Sequence, residues 1–130
     1  MSDESILSAE VLAANRRLLD SIIDGDWATY QELCDPTITA FEPEGRGHMI
    51  EGMEFHHFYF YLGGSPAPHN VTVCAPHVRF LGQDVAIVAY VRIVQRLGDD
   101  GKPVTARSEE TRVWQRQAGK WRHVHFHRSV

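Results

Sequence analysis

Three arginines and one glutamate fall on alternating positions of three segments that read as neighbouring β-strands. The segments are 84–97, 104–116 and 121–128, and the residues are Arg92, Glu110, Arg112 and Arg128. Residues two apart on a strand point to the same face of a sheet, so adjacent strands could bring these side chains together. The planar guanidinium of arginine binds carboxylates and phosphates through two parallel hydrogen bonds. The pattern therefore predicts a ligand pocket lined by arginines.

The turns between these segments decide whether the side chains converge. Asp99-Asp100-Gly101 and Gln117-Ala118-Gly119 each place glycine third in a plausible three-residue loop, which is typical of a type I turn followed by a bulge. In this register Arg92 lies opposite Ser108, and Ser108 lies opposite Arg128. A slip of one residue in either hairpin would reverse the faces of a strand, so the predicted cluster depends on both turns.

The face that carries the arginines is otherwise apolar, and we expect helices to cover it. Its other members are Val88, Tyr90, Trp114, Val124 and Phe126. With Glu110 as the one carboxylate, three arginines leave an excess of positive charge, which is costly to bury without a partner. Each arginine alone could instead reach water at a strand end or pair with Glu51 or Glu54. For three converging arginines we favour a pocket for a small carboxylate-type anion.

The opposite face of the same strands is also apolar, with a row of histidines at one side. It is expected to carry Ile87, Ala89, Val91, Ile93, Thr111, Val113, Trp121, His123, His125 and His127. A sheet face turned to water does not normally hold so much apolar area, so a partner is expected to bury it. With no other domain in the chain, the expected partner is another copy, in a homodimer or a ring of dimers.

The alternation of His123, His125 and His127 raises the question of a metal site, because three histidines and a water form a catalytic zinc set. Three residues along one strand span too far to converge easily. We therefore favour histidines that pack or form hydrogen bonds at an interface, and we expect no metal and no cofactor. Because histidine titrates near pH 6.5, assembly or stability is expected to respond to mild acid.

Helical patterns precede the strands. Apolar residues at spacings of three and four mark one helix face with Leu7, Val11, Ala14, Leu18 and Ile22. Gly25 ends this helix, and Asp26 is the expected N-cap of a second, which ends before Asp35-Pro36. Residues 37–41 form a short predicted strand. A third helix is predicted after Gly47, with Met49, Ile50, Met53, His57, Phe60 and Tyr61 on one side, followed by a loop at 63–70.

Helices followed by an antiparallel meander predict an α+β fold, with the N-terminal helices packed on one face of a curved, mainly antiparallel sheet. We expect residues 1–130 to form a single domain. The third helix would hold His56 over the sheet, where it could face Glu110 or the arginines. A histidine with a carboxylate is also a common acid–base pair, so a small-molecule enzyme is an alternative to a binding module.

Composition argues against several classes of protein. A formal net charge of −4 over 130 residues provides no general basic field for nucleic acid or anionic membranes. The N-terminus lacks the pattern of a signal peptide, and no apolar run is long enough to span a bilayer. Cys34 and Cys74 lack CxxC spacing, so we expect reduced thiols in a cytoplasmic protein.

Most of the chain resembles one known family. The similar segments are GDWATYQELCDPTITAFEPEGRGHMIEGMEFHHFYF, AYVRIVQRLGDDGKP and SEETRVWQRQAGKWRHVHFHRS, within which AFEPE, SEETRVW and HFHRS are the most specific runs. They are similar to the association (hub) domain of calcium/calmodulin-dependent protein kinase type II. The resemblance implies a cone-shaped fold of the nuclear transport factor 2-like type and sheet-mediated dimers that stack into rings.

The resemblance also implies a pocket for small carboxylates. Family arginines match Arg92, Arg112 and Arg128, and a family histidine matches His56. We expect a homo-oligomerisation module with this pocket that lacks kinase and calmodulin-binding segments, and we favour a module without enzymatic activity. Two alternatives stay open: an enzyme of the ketosteroid isomerase or dehydratase kind that uses His56 and Glu110, and a scaffold that recruits a separately encoded partner.

Overall fold

The computed structural model describes residues 3–64 and 66–130, in which three helices pack on a curved, six-stranded, mostly antiparallel sheet. The helices are Asp3–Asp24 (α1), Trp27–Leu33 (α2) and Glu54–Tyr61 (α3), and a short 3-10 helix covers Pro43–Gly45. The strands are Cys34–Phe41 (β1), Ile50–Glu51 (β2), His69–Leu81 (β3), Val85–Leu97 (β4), Pro103–Gln117 (β5) and Lys120–Ser129 (β6). Their order in the sheet is β2-β1-β6-β5-β4-β3, and β1 runs parallel to β6. The predicted fold class is confirmed.

The predicted turn between α1 and α2 is confirmed and has a further contact. Gly25 ends α1 with φ 69°, and the side chain of Asp26 accepts a hydrogen bond from the backbone N–H of Thr29 at 3.2 Å. A methyl group on Gly64 would lie 2.2 Å from the carbonyl oxygen of Asp24, closer than real Cβ atoms approach. The end of α1 and the loop after α3 are therefore packed backbone against backbone.

The third helix begins later than predicted. Ile50 and Glu51 form the short strand β2, in which Ile50 pairs with Ala40 of β1, and α3 starts only at Glu54. Gly52, at φ 79°, separates strand from helix and donates its N–H to the carbonyl of Ile38 at 2.7 Å. The predicted loop at 63–70 contains Ser65, which lies outside the described residues, and its last two residues belong to β3.

The hairpin of β4 and β5 has the predicted register. Arg92 lies opposite Ser108, and Tyr90 lies opposite Glu110. Side chains at even positions of both strands point towards the helices, where Trp114 is fully buried. This half of the predicted face is confirmed.

The hairpin of β5 and β6 differs from the prediction. Gln117 pairs with Lys120, so the turn has two residues and not three. Both turn residues, Ala118 and Gly119, have positive φ, at 49° and 78°, as in a type I′ turn. This turn matches the twist of the flanking strands. Because it is one residue shorter than predicted, it would by itself place every side chain of β6 on the face opposite to the predicted one.

A bulge in β6 returns the residues that follow it to their predicted faces of the sheet. Trp114 pairs with His123, but the preceding residue of β5, Val113, pairs with His125, which leaves Val124 as the extra residue. Beyond the bulge Arg128 lies opposite Glu110, and not opposite Ser108 as predicted. The arginines of β5 and β6 consequently share the inner face, although the predicted route to that result was wrong.

The two-residue turn moves two residues that precede the bulge from the predicted outer face to the inner one. His123 is fully buried against Trp114, with ring centroids 5.2 Å apart. Trp121 faces α1 and donates its Nε1–H to Glu10 at 3.4 Å. The outer face therefore keeps only His125 and His127 of the predicted histidine row.

The core lies between the helices and the inner face of the sheet. Its fully buried apolar residues are Val11, Leu18, Leu19, Ala40, Ala86, Val88 and Trp114. On α1, Asn15 is buried among them because its Oδ1 accepts the Nε1–H of Trp114 at 3.0 Å. Across the described ranges, no helix is long and apolar enough to cross a membrane.

Candidate functional site

A cavity of about 480 Å³ lies between α3 and the inner face of the sheet. Four of the five predicted site residues line it, namely His56, Arg92, Arg112 and Arg128. The fifth, Glu110, lies behind the wall and is 3% exposed. The structure therefore brings the predicted residues together, with Glu110 as a support for the arginines and not as a wall residue.

The carboxylate of Glu110 is the centre of a buried polar network. Its Oε1 accepts hydrogen bonds from the hydroxyl of Tyr90 at 2.6 Å and from Nε and Nη2 of Arg112 at 3.1 and 3.0 Å. Its Oε2 accepts from Ser108 at 3.3 Å. Burial raises the pKa of Glu110, but the charges of Arg112 and Arg92 outweigh burial and lower it below its ordinary value. The group is therefore a carboxylate that fixes two guanidinium groups.

Arg92 is less fully paired than Arg112. Its Nε lies 2.8 Å from Oε2 of Glu110, within ion-pair distance, but its N–H is not aimed at that oxygen and makes no hydrogen bond. A second buried nitrogen without a hydrogen-bond partner is Nδ1 of His56. Both belong to residues of the cavity wall. Buried polar atoms are normally paired, so two such atoms beside one cavity are consistent with a polar occupant.

Arg112 is 1% exposed and contacts four different groups, of which the hydroxyl of Tyr90 accepts a hydrogen bond from its Nε at 3.0 Å. Besides Glu110, its guanidinium stacks over the ring of Phe126, with 4.5 Å between the guanidinium carbon and the ring centroid. Its Nη1 lies 3.4 Å from Nε2 of His123. Because arginine can only donate, Nε2 of His123 must accept, and the ring proton sits on Nδ1, 3.6 Å from Sγ of Cys34. His123 is thus held as a neutral ring.

Burial, followed by the charge of Arg112, lowers the pKa of His123 well below its ordinary value. Burial also raises the pKa of the Cys34 thiol to about 12. Cys34 is therefore a protonated thiol in the core and lacks the thiolate character of a nucleophile. Neither residue lines the cavity.

The buried His123 predicts a loss of stability in mild acid. Below a pH of about 6.5 the unfolded chain binds a proton at this residue that the folded chain does not, so stability falls by up to about 1.4 kcal/mol per pH unit. The loss continues until the pH reaches the lowered folded-state pKa. Urea denaturation between a pH of about 7.5 and about 5 measures it.

Two substitutions separate the effect of His123 from the titration of other groups in the protein. His123→Gln should show a shallower decline of stability with falling pH than the parent, whatever its absolute stability. His48→Gln, at an exposed position, should keep the parent slope. Equal slopes in the parent and His123→Gln would mean that His123 is not the titrating group.

Arg128, at the mouth of the cavity, is paired with carboxylates that the sequence analysis did not place. Its Nη2 donates to both carboxylate oxygens of Glu44 and lies 3.8 Å from Oε2 of Glu42. The other oxygen of Glu42 lies 2.7 Å from Nε2 of His56. The cluster thus contains Glu42, Glu44 and Glu110 against the three predicted arginines, which therefore do not carry the predicted excess of positive charge. Arg96, which the prediction did not include, also lines the cavity.

These two glutamates come from the AFEPE run. β1 lies parallel to β6, with Phe41 opposite His127, so the residues that follow Phe41 reach Arg128. The alternation of Glu42 and Glu44 about Pro43 at the end of a strand is the signal that could have identified them. Among the described arginine contacts, Glu51 and Glu54 are not partners of the cluster.

The histidines of β6 do not form a metal site. His123 is in the core, Nδ1 of His125 lies 2.7 Å from the hydroxyl of Thr39, and the ring of His127 packs against Phe41 at 5.8 Å. Over residues 3–64 and 66–130, no three side chains of histidine, cysteine, aspartate or glutamate are grouped so that they could hold a metal ion.

The outer face of the sheet is apolar and incompletely covered. Ile87, Ala89, Val91, Ile93 and Val113 are all partly exposed there. Beside them, Phe41 is 39% exposed and forms the edge of the patch with His125 and His127. We call these residues the outer patch.

The chain is similar to one protein family over nearly its whole length. Residues 7–130 match the family model described as the calcium/calmodulin dependent protein kinase II association domain. The chain is 47% identical over 122 residues to the type II kinase subunit delta of Oryctolagus cuniculus, and the match covers 92% of this chain but 23% of that protein. The chain therefore spans about a quarter of the length of this curated relative.

Solved structures agree with the sequence comparison. The structure of the association domain of the C. elegans kinase superposes with a TM-score of 0.92 at 42% identity, covering 98% of each chain. A nuclear transport factor 2-like protein from Salmonella enterica superposes with a TM-score of 0.78 at 22% identity, covering 97% of this chain and 92% of that one. The second likeness shows the fold, which is the nuclear transport factor 2-like fold.

Proposed function

The chain belongs to the calcium/calmodulin-dependent protein kinase II association domain family, and on this basis we propose that it is a self-associating module. The observation that carries the proposal is the outer patch. A row of apolar side chains on one sheet face is an unusual surface for a monomer, since large exposed apolar patches mark interaction sites. The family name and the patch together favour a second copy of the chain as the partner.

The geometry of the outer patch suits a symmetric contact. Sheet faces pack about 10 Å apart with interdigitating side chains, and a two-fold contact presents the same patch from both subunits. Ile87 lies opposite Val113 on the neighbouring strand, so the patch is continuous across β4 and β5. Sedimentation velocity at micromolar concentration should show at least a dimer. A folded monomer under these conditions would contradict the proposal.

We further propose that the cavity under α3 binds a small carboxylate. Its volume of about 480 Å³ falls within the range of roughly 300–1,000 Å³ found for small-molecule sites. The support is the convergence of three arginines on one wall, together with buried nitrogens of Arg92 and His56 that make no hydrogen bond. Of the three arginines, Arg128 and Arg92 are best placed to meet a ligand, because their side chains are 15% and 13% exposed while that of Arg112 is 2% exposed.

Arg128→Gln is expected to weaken the binding of acetate by about tenfold or more, since one charge-assisted hydrogen-bond donor is lost. Isothermal titration of protein dialysed free of small anions measures the dissociation constant. Arg17→Gln is the matched control, because Arg17 pairs with Glu32 on the surface and does not line the cavity. Unchanged acetate affinity in Arg128→Gln would remove Arg128 from the site.

An acid–base reaction that uses His56 and Glu110 finds no support in the geometry. Glu110 is enclosed by Tyr90, Ser108 and two arginines, and its pKa is lowered, so it is a poor proton donor. His56 pairs with Glu42 and not with Glu110. We therefore propose a binding module and not an isomerase or a dehydratase.

A further inference from the structure

The anion-binding group at the mouth of the cavity is already occupied by a side chain of the same protein. Nη2 of Arg128 donates to both oxygens of Glu44, which sits on the 3-10 helix at Pro43–Gly45. We propose that Glu44 is an internal competitor for the anion site, and that a small monocarboxylate binds by displacing it from Arg128. This inference rests on the proposed carboxylate binding in the cavity.

The two glutamates near Arg128 differ in how easily they can leave. The side chain of Glu44 is 37% exposed and can turn into water without being desolvated or leaving another partner. The side chain of Glu42 is 8% exposed, and its Oε1 lies 2.7 Å from Nε2 of His56. Displacing Glu42 would leave a buried histidine without its partner, which is costly. Glu44 is therefore the exchangeable carboxylate and Glu42 is the fixed one.

The charges of the cluster indicate which ligand can take the place of Glu44. Arg92, Arg112 and Arg128 are balanced by Glu110, Glu42 and Glu44. When Glu44 turns out, the remaining groups carry one net positive charge, which a monoanion neutralises. A monocarboxylate such as acetate therefore replaces the single charge that Glu44 withdraws.

The fold needs no large rearrangement for the exchange. The 3-10 helix that carries Glu44 ends at Arg46 in the left-handed region, with φ 57°, and the strand β2 begins at Ile50. Rotation about the side-chain bonds of Glu44 alone can release Arg128. Side-chain rotations at exposed positions occur in picoseconds to nanoseconds, so the competitor would equilibrate faster than any ligand binds.

Two substitutions at Glu44 test the competition, with acetate as the probe and isothermal titration as the measurement. Glu44→Gln removes the charged competitor, and acetate affinity should rise by about tenfold, which corresponds to ~1.4 kcal/mol. Glu44→Asp keeps the charge but is one methylene shorter, so it should no longer reach Arg128 and should also strengthen acetate binding. Glu51→Gln, at an exposed glutamate outside the cavity wall, should leave the affinity unchanged.

The outcomes distinguish the inference from the function on which it rests. Equal or weaker acetate binding by Glu44→Gln, with measurable binding by the parent, would overturn the competition and leave the carboxylate site in place. Tighter binding by Glu44→Gln but not by Glu44→Asp would also overturn it, because a general effect of charge would then suffice. Absence of acetate binding in the parent and in both variants would overturn the carboxylate site itself.

Discussion

Glu110→Gln should destabilise the fold by about 3–5 kcal/mol, the cost of breaking a buried ion pair from one side. Glutamine matches glutamate in size, so packing is conserved. The substitution leaves Arg112, which is 1% exposed, and Arg92 without their shared counter-charge in the core. Urea denaturation at matched protein concentration gives the free energy of unfolding, since self-association would otherwise shift the midpoint.

The matched control for this substitution is Glu51→Gln, which changes an exposed glutamate at the sheet edge. Its effect should stay within about 0.5 kcal/mol, as for most surface substitutions. A loss below about 1 kcal/mol in Glu110→Gln would mean that water reaches the arginines in the folded protein. The network would then be a solvated part of the cavity and not part of the core.

Val113→Glu should abolish or strongly weaken self-association. Val113 lies on the outer patch between Ile87 of β4 and His125 of β6, and a carboxylate there would have to be desolvated on assembly. In a two-fold contact each interface receives the substitution twice. We expect the dissociation constant to rise by at least about 100-fold, equivalent to ~2.7 kcal/mol.

Sedimentation velocity across a range of protein concentrations measures this change, and circular dichroism checks that the variant is folded. Gln83→Glu adds the same charge at the exposed turn between β3 and β4 and should assemble like the parent. If Val113→Glu forms the same species at the same concentrations, the outer patch is not the contact, and another surface must hold the subunits together.

Local turn chemistry predicted the register of one hairpin correctly. For the other hairpin it predicted the face that carries Arg128 but not the register. For β4 and β5, the acidic turn before Gly101 and the alternation of both strands led to the observed register. For β5 and β6, a three-residue loop and a two-residue loop followed by a bulge place Arg128 on the same face. The two-residue turn places the ring of His123 in the core beside Trp114, and the bulge at Val124 returns Arg128 to the inner face. Tertiary packing of this kind leaves no local sequence signal.

The arginines of the candidate site could be predicted from strand alternation, but their partners could not. Arg92 and Arg112 are close to Glu110 on adjacent strands, a relation that pairing of neighbouring segments reveals. Glu42 and Glu44 reach Arg128 through the parallel pairing of β1 with β6, which joins segments more than 80 residues apart. Turn geometry contains no information about such a distant pairing.

The contact between Gly25 and Gly64 makes the shape of the cavity depend on a site outside it. A methyl group on Gly25 would lie 2.3 Å from the backbone nitrogen of Gly64, so any side chain there would have to push the loop after α3, and with it that helix, away from α1. The helix that would move carries His56 and Phe60 in the cavity wall. A substitution at either glycine is therefore expected to change the shape of the cavity, and with it the proposed carboxylate binding, from a position outside the cavity wall.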